Sequence, residues 1–379
     1  MDVKPLRVGI VGTGGIAVNH HVPNFLRCPN VEVVAACDIS EAALEQMRAR
    51  HGVTDCYRDY CELLARDDLD IISVCTSNDM HYPVVMAAAE RGLDIFCEKP
   101  LAMDLCQARE MWAAAEAKGL KTGVNFSHRR TPAAQLAREI IARGALGTIT
   151  TVQAVYAAGG VGYAQHPGTW RNDRQRAGWG GLGDMGAHML DMLGWWLDDD
   201  VAEVAAYTRT FVPQRLSRET GLPMTVTTED QGMVLMAFAS GAMGYLCGGY
   251  IFTGRGYDQR IEVYGSEGGL MYNQQRPLEL DVYLPPEILA DYQVLRQGKT
   301  PDTPYTTILV PERLQGLIPG QNGVRRSVIM DYVDAYRASH GRDGAFCFEP
   351  GFAEGVRVQA ILDACALAER DARWVQLPL

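Results

Sequence analysis

The chain has 379 residues, 47% hydrophobic and 21% charged, with a formal net charge of −11. That length exceeds what one hydrophobic core usually organises, so two domains are expected, and the composition is that of a globular protein rather than a disordered one. An acidic balance without a run of Lys or Arg argues against a nucleic-acid partner, and no apolar stretch or leader-like N-terminus points to a membrane, so a soluble protein is expected.

In chain order, short β-branched runs at 6–11, 31–37, 71–75, 94–97 and 121–124 alternate with helical patterns at 16–27, 41–51, 82–91 and 105–118. This alternation predicts a doubly wound parallel sheet with helices on both faces, in a first domain spanning 1–124. From Asn125 the pattern changes: a helix at 132–143, a strand at 148–157, a Gly-rich loop at 159–183 and a helix at 184–197. Strands follow at 201–212, 231–238, 242–252, 260–264 and 278–283, joined by short turns that predict a mostly antiparallel open sheet. The second domain, 125–379, is therefore expected to be α+β, making the chain α/β overall. Pro- and Gly-rich sequence at 285–323 reads as a surface excursion, before closing helices at 324–339 and 351–370 that are free to pack back on the first domain. The ten cysteines are scattered with no C-x-x-C pair, which fits reducing cytoplasm better than a disulfide framework or a zinc site.

Four stretches carry chemistry. The first strand runs into Gly12-Thr13-Gly14-Gly15-Ile16-Ala17, a G-x-G-x-x-A turn. Gly12 permits the tight turn, Gly14 lets backbone approach a pyrophosphate, and Ala17 allows close helix packing. The alternative is a Gly-rich turn that holds no nucleotide. Asp38 ends the second strand, where a carboxylate accepts ribose hydroxyls and repels a 2′-phosphate, so NAD is expected rather than NADP. The competing reading makes Asp38 a helix cap, a role open also to Ser40. Glu98-Lys99-Pro100 follows a strand at the sheet's carboxyl edge, where ligands bind, and would hold an ammonium beside a nicotinamide. In Gly180-Gly181-Leu182-Gly183-Asp184-Met185-Gly186-Ala187-His188, Asp184 and His188 are four apart and would share one helix face. A histidine suits removal of a hydroxyl proton as hydride leaves, and a carboxylate can tune it. A core histidine satisfied by Asp184 is the bland alternative. No metal is expected, because no third strong ligand accompanies these residues.

Taken together, GTGGIA, EKP and GGLGDMGAHMLD resemble the glucose-fructose oxidoreductase / inositol dehydrogenase / MocA-type family over essentially the whole chain. The resemblance implies a Rossmann domain, then a domain whose open sheet often forms the subunit interface, with the active site in the cleft between the two. It implies that Lys99 hydrogen-bonds the reacting hydroxyl and stabilises alkoxide charge, that His188 is the acid/base, and that Asp184 orients the substrate or the imidazole. It places Asn125 and Arg129 near cofactor and substrate, and Thr76, Asn78 and His81 beside the cofactor, with Ser77 where the family often has Pro. Glu98 joins the cofactor-binding set. In the loop before His188, Trp170 and Arg171 are the foremost expected substrate contacts, since aromatic faces and guanidinium groups suit a hydroxyl-rich ring.

The expected function is hydride transfer between NAD and a secondary hydroxyl carbon of a sugar, inositol, anhydrosugar or glycoside, by a cytoplasmic homodimer or homotetramer. Two alternatives compete with it. One is a glycoside hydrolase that keeps NAD bound and oxidises a ring hydroxyl transiently; the other is a non-catalytic cofactor-binding sensor.

Overall fold

A computed structural model of the chain describes residues 4–160, 165–298, 304–318, 323, 325–339 and 345–378. Tyr163 in the Gly-rich loop and Val324 at the expected start of a closing helix lie outside the described residues. The chain divides into two compact units.

The first unit comprises Met1–Phe126, Gln175–Gly178 and Ser327–Gln359. Its sheet is built from β1 (Leu6–Val11), β2 (Val31–Cys37), β3 (Cys56–Tyr57), β4 (Ile71–Val74), β5 (Asp94–Cys97) and β6 (Thr122–Val124), all parallel, in the order β3-β2-β1-β4-β5-β6. Val8, Ile10, Ile71, Ile72, Val74, Ile95 and Phe96 have no exposed surface, as expected of strands covered on both faces. The order reverses between β1 and β4, which makes the carboxyl ends of these strands the place where a ligand binds in such sheets. The two-residue β3 was too short to leave a pattern in the sequence.

The helix expected at 16–27 forms in two pieces, a π-helical turn at Ala17–His21 followed by an α-helix at Val22–Arg27. Ser327–Gln359 completes this unit. Tyr332 is fully buried with its ring 5.2 Å from that of Phe96, its hydroxyl donates to the Lys121 carbonyl at 2.9 Å, and the Val124 N–H donates to the Pro350 carbonyl at 2.8 Å.

The second unit comprises Ser127–Arg174, Trp179–Arg326 and Ala360–Leu379. A small hairpin joins β9 (Gln214–Leu216) to β10 (Pro223–Thr225). The main sheet contains β7 (Ile149–Ala157), β8 (Val201–Arg209), β11 (Gln231–Phe238), β12 (Met243–Gly249), β13 (Asp258–Gly265), β14 (Gly269–Asn273), β15 (Glu279–Tyr283), β16 (Val294–Arg296), β17 (Thr306–Leu309) and β18 (Val375–Gln376). Their order is β16-β17-β15-β14-β13-β7-β12-β11-β8-β18, and every pair is antiparallel except β7 with β12.

The reading of 285–323 as a surface excursion needs correction. It supplies β16 and β17, and Thr306, Thr307 and Ile308 are buried in the sheet. The intervening Pro and Gly residues masked the β-branched run in β17.

One face of this sheet packs on two helices, Pro132–Ala142 and Ala187–Leu197. Along β11, Val234, Met236 and Phe238 point into that core, whereas Met233 and Leu235 point away and are more than half exposed. Tyr207, Met243 and Tyr245 continue this second apolar surface on neighbouring strands, opposite or beside Met233, Ala237 and Leu235.

Candidate active site

In the first unit the turn after β1 has the shape the glycines imply. Gly12 has φ +88°, and a Cβ there would lie 2.6 Å from the carbonyl of Cys75, so only glycine fits. Gly14 faces open space: nothing lies within 4 Å of where its Cβ would be. Gly14, Gly15 and Ile16 are exposed, so the turn is open to a ligand while Thr13 is buried behind it.

Asp38 closes on this turn. Its Oδ2 accepts the Thr13 N–H at 2.7 Å and the Thr13 hydroxyl at 3.2 Å, while its Oδ1 accepts the Ser40 N–H. The helix cap falls to Ser40, whose Oγ accepts the Ala43 N–H. Asp38 therefore belongs to the glycine turn and presents a negative charge there.

The end of β5 is organised by a buried carboxylate. Glu98 Oε1 accepts from the Asn125 amide at 2.6 Å and lies 2.8 Å from His21 Nε2, and its Oε2 accepts the Lys99 N–H at 3.1 Å. Glu98 is thus occupied within the protein, and Lys99 extends half-buried from the backbone it anchors. Asn78 donates to the Ala177 carbonyl, and His81, wholly buried, lies against the Pro100 carbonyl at 3.0 Å through Nδ1. Burial lowers the His81 pKa, which keeps the ring neutral.

A dinucleotide fits this set. Gly14 leaves room for a pyrophosphate, and Thr76 Oγ1 and Asn125 Oδ1 are buried polar atoms with no protein partner. Such atoms are satisfied by a ligand or by water.

In the second unit the helix expected from Asp184 opens with a π-helical turn at Leu182–Gly186, and the α-helix starts only at Ala187. The glycines are there for contact. A Cβ on Gly181 would sit 2.3 Å from the Asp230 carbonyl oxygen, so the turn lies directly on the start of β11. Glu229, also buried, accepts the N–H groups of Gly180 and Leu182 at 2.7 and 3.0 Å, and burial pushes its carboxyl pKa up.

Asp184 Oδ2 accepts the Tyr250 hydroxyl at 2.8 Å, with Arg171 Nε 3.6 Å away. The Arg171 guanidinium lies over the Trp170 ring at 4.4 Å, so the same group that faces Asp184 is stacked on Trp170. His188 is buried, its ring edge-on to His128 at 4.2 Å and tilted against Tyr156 at 6.3 Å. His128 is held in turn by Gln274 at 3.1 Å. Arg129 grips Asp191 in a bidentate buried pair at 2.8 and 2.6 Å, so its guanidinium braces the His188 helix. Among the described residues, no group of three or more His, Cys, Asp or Glu is arranged to hold a metal ion.

Sequence reasoning did not single out His21, His128, Tyr156, Glu229 or the hydroxyl of Tyr250. Tyr250 is buried, and its hydroxyl is spent on Asp184. The one local signal was the His20-His21 pair in the helical stretch after the glycine turn.

Comparison with known proteins agrees with both halves. Residues 6–126 match the model of an oxidoreductase family with an NAD-binding Rossmann fold, and residues 134–271 match the GFO/IDH/MocA C-terminal domain. Levoglucosan dehydrogenase of Pseudarthrobacter phenanthrenivorans is 29% identical, over 99% of this chain and 99% of its own. The 1,5-anhydro-D-fructose reductase of Ensifer adhaerens is 31% identical over 70% of this chain and 75% of its own. A levoglucosan dehydrogenase structure in complex with NADH and levoglucosan superposes with a TM-score of 0.84 at 26% identity, covering 99% of this chain and 100% of that one.

Proposed function

This chain belongs to the Gfo/Idh/MocA oxidoreductase family and is an NAD-dependent sugar dehydrogenase by that kinship, and from this premise we propose its reaction: hydride transfer from a secondary hydroxyl carbon of a cyclic sugar, with anhydrosugars of the levoglucosan type first among the substrates. The observation that carries the reading is the turn at 180–188, where Asp184, oriented by Tyr250 and Arg171, leads into His188, backed by His128 and Tyr156.

In this reading Gly12, Thr13, Gly14, Gly15, Ile16 and Asp38 hold the adenosine and pyrophosphate end of the cofactor, and Thr76 and Asn125 face its nicotinamide end. Asn78, His81 and Glu98 act from beneath, by fixing the backbone around Ala177, Pro100 and Lys99. Bound NAD supplies the hydride acceptor. His188 takes the hydroxyl proton, Lys99 donates a hydrogen bond to the oxygen as alkoxide charge develops, and Asp184 orients the sugar with Trp170 and Arg171 alongside. Arg129 supports this from the rear through Asp191.

We assign the exposed apolar face of Tyr207, Met233, Leu235, Met243 and Tyr245 to a homodimer or homotetramer contact, because a contiguous patch of this kind marks an association surface. The ten free cysteines support a cytoplasmic setting, and no described helix is long and apolar enough to cross a membrane.

The test is an absorbance assay for NADH with purified protein, NAD and a panel of levoglucosan, inositols, free sugars and glycosides, with products analysed from the same wells. NADH formed in step with a keto product supports the dehydrogenase. Aglycone release without NADH would replace it by the redox glycosidase, and no turnover alongside tight NAD binding would favour a sensor.

A further inference from the structure

Beneath the Lys99 loop, His21 is fully buried, with both ring nitrogens engaged: Nδ1 lies 2.8 Å from Ser73 Oγ and Nε2 lies 2.8 Å from Glu98 Oε1. Glu98 then reaches Asn125 through the same oxygen and the Lys99 N–H through the other. Through these bonds the π-helical turn after β1 is tied to the ends of β4, β5 and β6, at the carboxyl edge of the sheet. We infer that His21 is a positioning residue of the reaction: acting through Glu98, it sets where Lys99 and Asn125 stand.

Three observations separate this from mere core filling. A buried carboxylate needs a cation or several donors, and His21 is the only ring that reaches Glu98 Oε1 among the described hydrogen bonds. Where only stability is served, apolar residues of similar volume do as well as a buried ion pair. Finally, the hydrogen bonds that Glu98 makes beyond His21 go to Lys99 and Asn125, two residues assigned here to the site. Ionisation agrees: burial opposes charge on both groups, yet Cys75 and Glu98 hold the His21 pKa up, and His21, Lys99 and Asn125 hold that of Glu98 down. At neutral pH the pair is an imidazolium facing a carboxylate, so Glu98 stays a pure acceptor and the Lys99 N–H keeps one partner.

The inference rests on Lys99 acting at the reacting hydroxyl. The test compares His21→Gln, His21→Leu, Glu98→Gln and Lys99→Met in the full-length protein, measuring thermal midpoint, NADH affinity by fluorescence titration, and kcat and KM with whichever sugar of the panel the wild type oxidises. Positioning predicts that kcat falls about 100-fold in His21→Leu, the scale of a misplacement of about 1 Å. It predicts a smaller fall in His21→Gln, which keeps a donor toward Glu98, with KM little changed, at temperatures where every variant is folded. Loss of thermal midpoint with unchanged kcat in the His21 variants, while Lys99→Met is inactive, would overturn the inference and leave the reading of Lys99 intact. Full turnover in Lys99→Met would overturn that reading itself.

Discussion

At the scale of single residues, two carboxylates set measurable properties. Asp38 puts a negative charge on the glycine turn, bound to Thr13. Asp38→Asn keeps an acceptor for the Thr13 N–H but removes the repulsion of a 2′-phosphate, and the ratio of kcat/KM for NAD over NADP is expected to fall by about tenfold or more, on the scale of one partly screened charge pair. Glu98 is expected to contribute to acid sensitivity. Its pKa is lowered from 4.5 to about 2, so its contribution to stability is present above pH 4.5 and is lost as pH falls toward 2. His21, raised from 6.5 to about 10, contributes fully below pH 6.5 and loses its part as pH rises toward 10. The pair is therefore most stabilising between about pH 4.5 and 6.5. Denaturant unfolding followed across pH is expected to show weakening on both sides of that window, and Glu98→Gln should flatten the acid limb. Lys99, Asp184 and His188, the residues proposed to carry the chemistry, stood out in the sequence because motif and spacing are local. Their supports did not, because Glu98 meets His21 across 77 positions and Asp184 meets Tyr250 across 66.

At the scale of elements, the turn into the His188 helix is the most constrained. Gly181 touches the Asp230 carbonyl so closely that Gly181→Ala must push the π-helical turn off the start of β11. The expected cost is about 1–3 kcal/mol of stability, the range for overpacking a tight contact, with a larger proportional loss of turnover because Asp184 moves with the turn. Thermal unfolding and kcat on the same preparation would show it, and an unchanged midpoint would mean the contact is looser than described. The period of hydrophobic residues made most strands and helices readable, with ends within a few residues. A π-helical turn was not, since it keeps a helical look while adding one residue per turn. Nor were β3, β9, β10 and β16, each two or three residues long and without room for an alternating pattern.

At the scale of the whole molecule, the second unit presents one sheet face to its own helices and another, carrying Tyr207, Met233, Leu235 and Met243, to the outside. Leu235→Arg together with Met243→Glu is expected to leave the fold intact and convert an oligomer to a monomer, read by light scattering after gel filtration. A wild-type protein already of monomer mass would refute the assembly. The sequence changes its grammar at Asn125, and the opening segment of the first unit ends at Phe126. The membership of Ser327–Gln359 in the first unit was left open by sequence, since nothing local to Tyr332 or Pro350 names Phe96 or Val124 as its partner.

That last segment has a consequence for how the protein comes into being. During synthesis β6 leaves the ribosome more than two hundred residues ahead of Pro350, whose carbonyl receives the Val124 N–H, and ahead of Tyr332, whose ring covers Phe96. The nucleotide-binding half is begun first but completed only after most of the second unit has been made, so a nascent chain halted after residue 126 is expected to be a client for chaperones rather than an early-folded module.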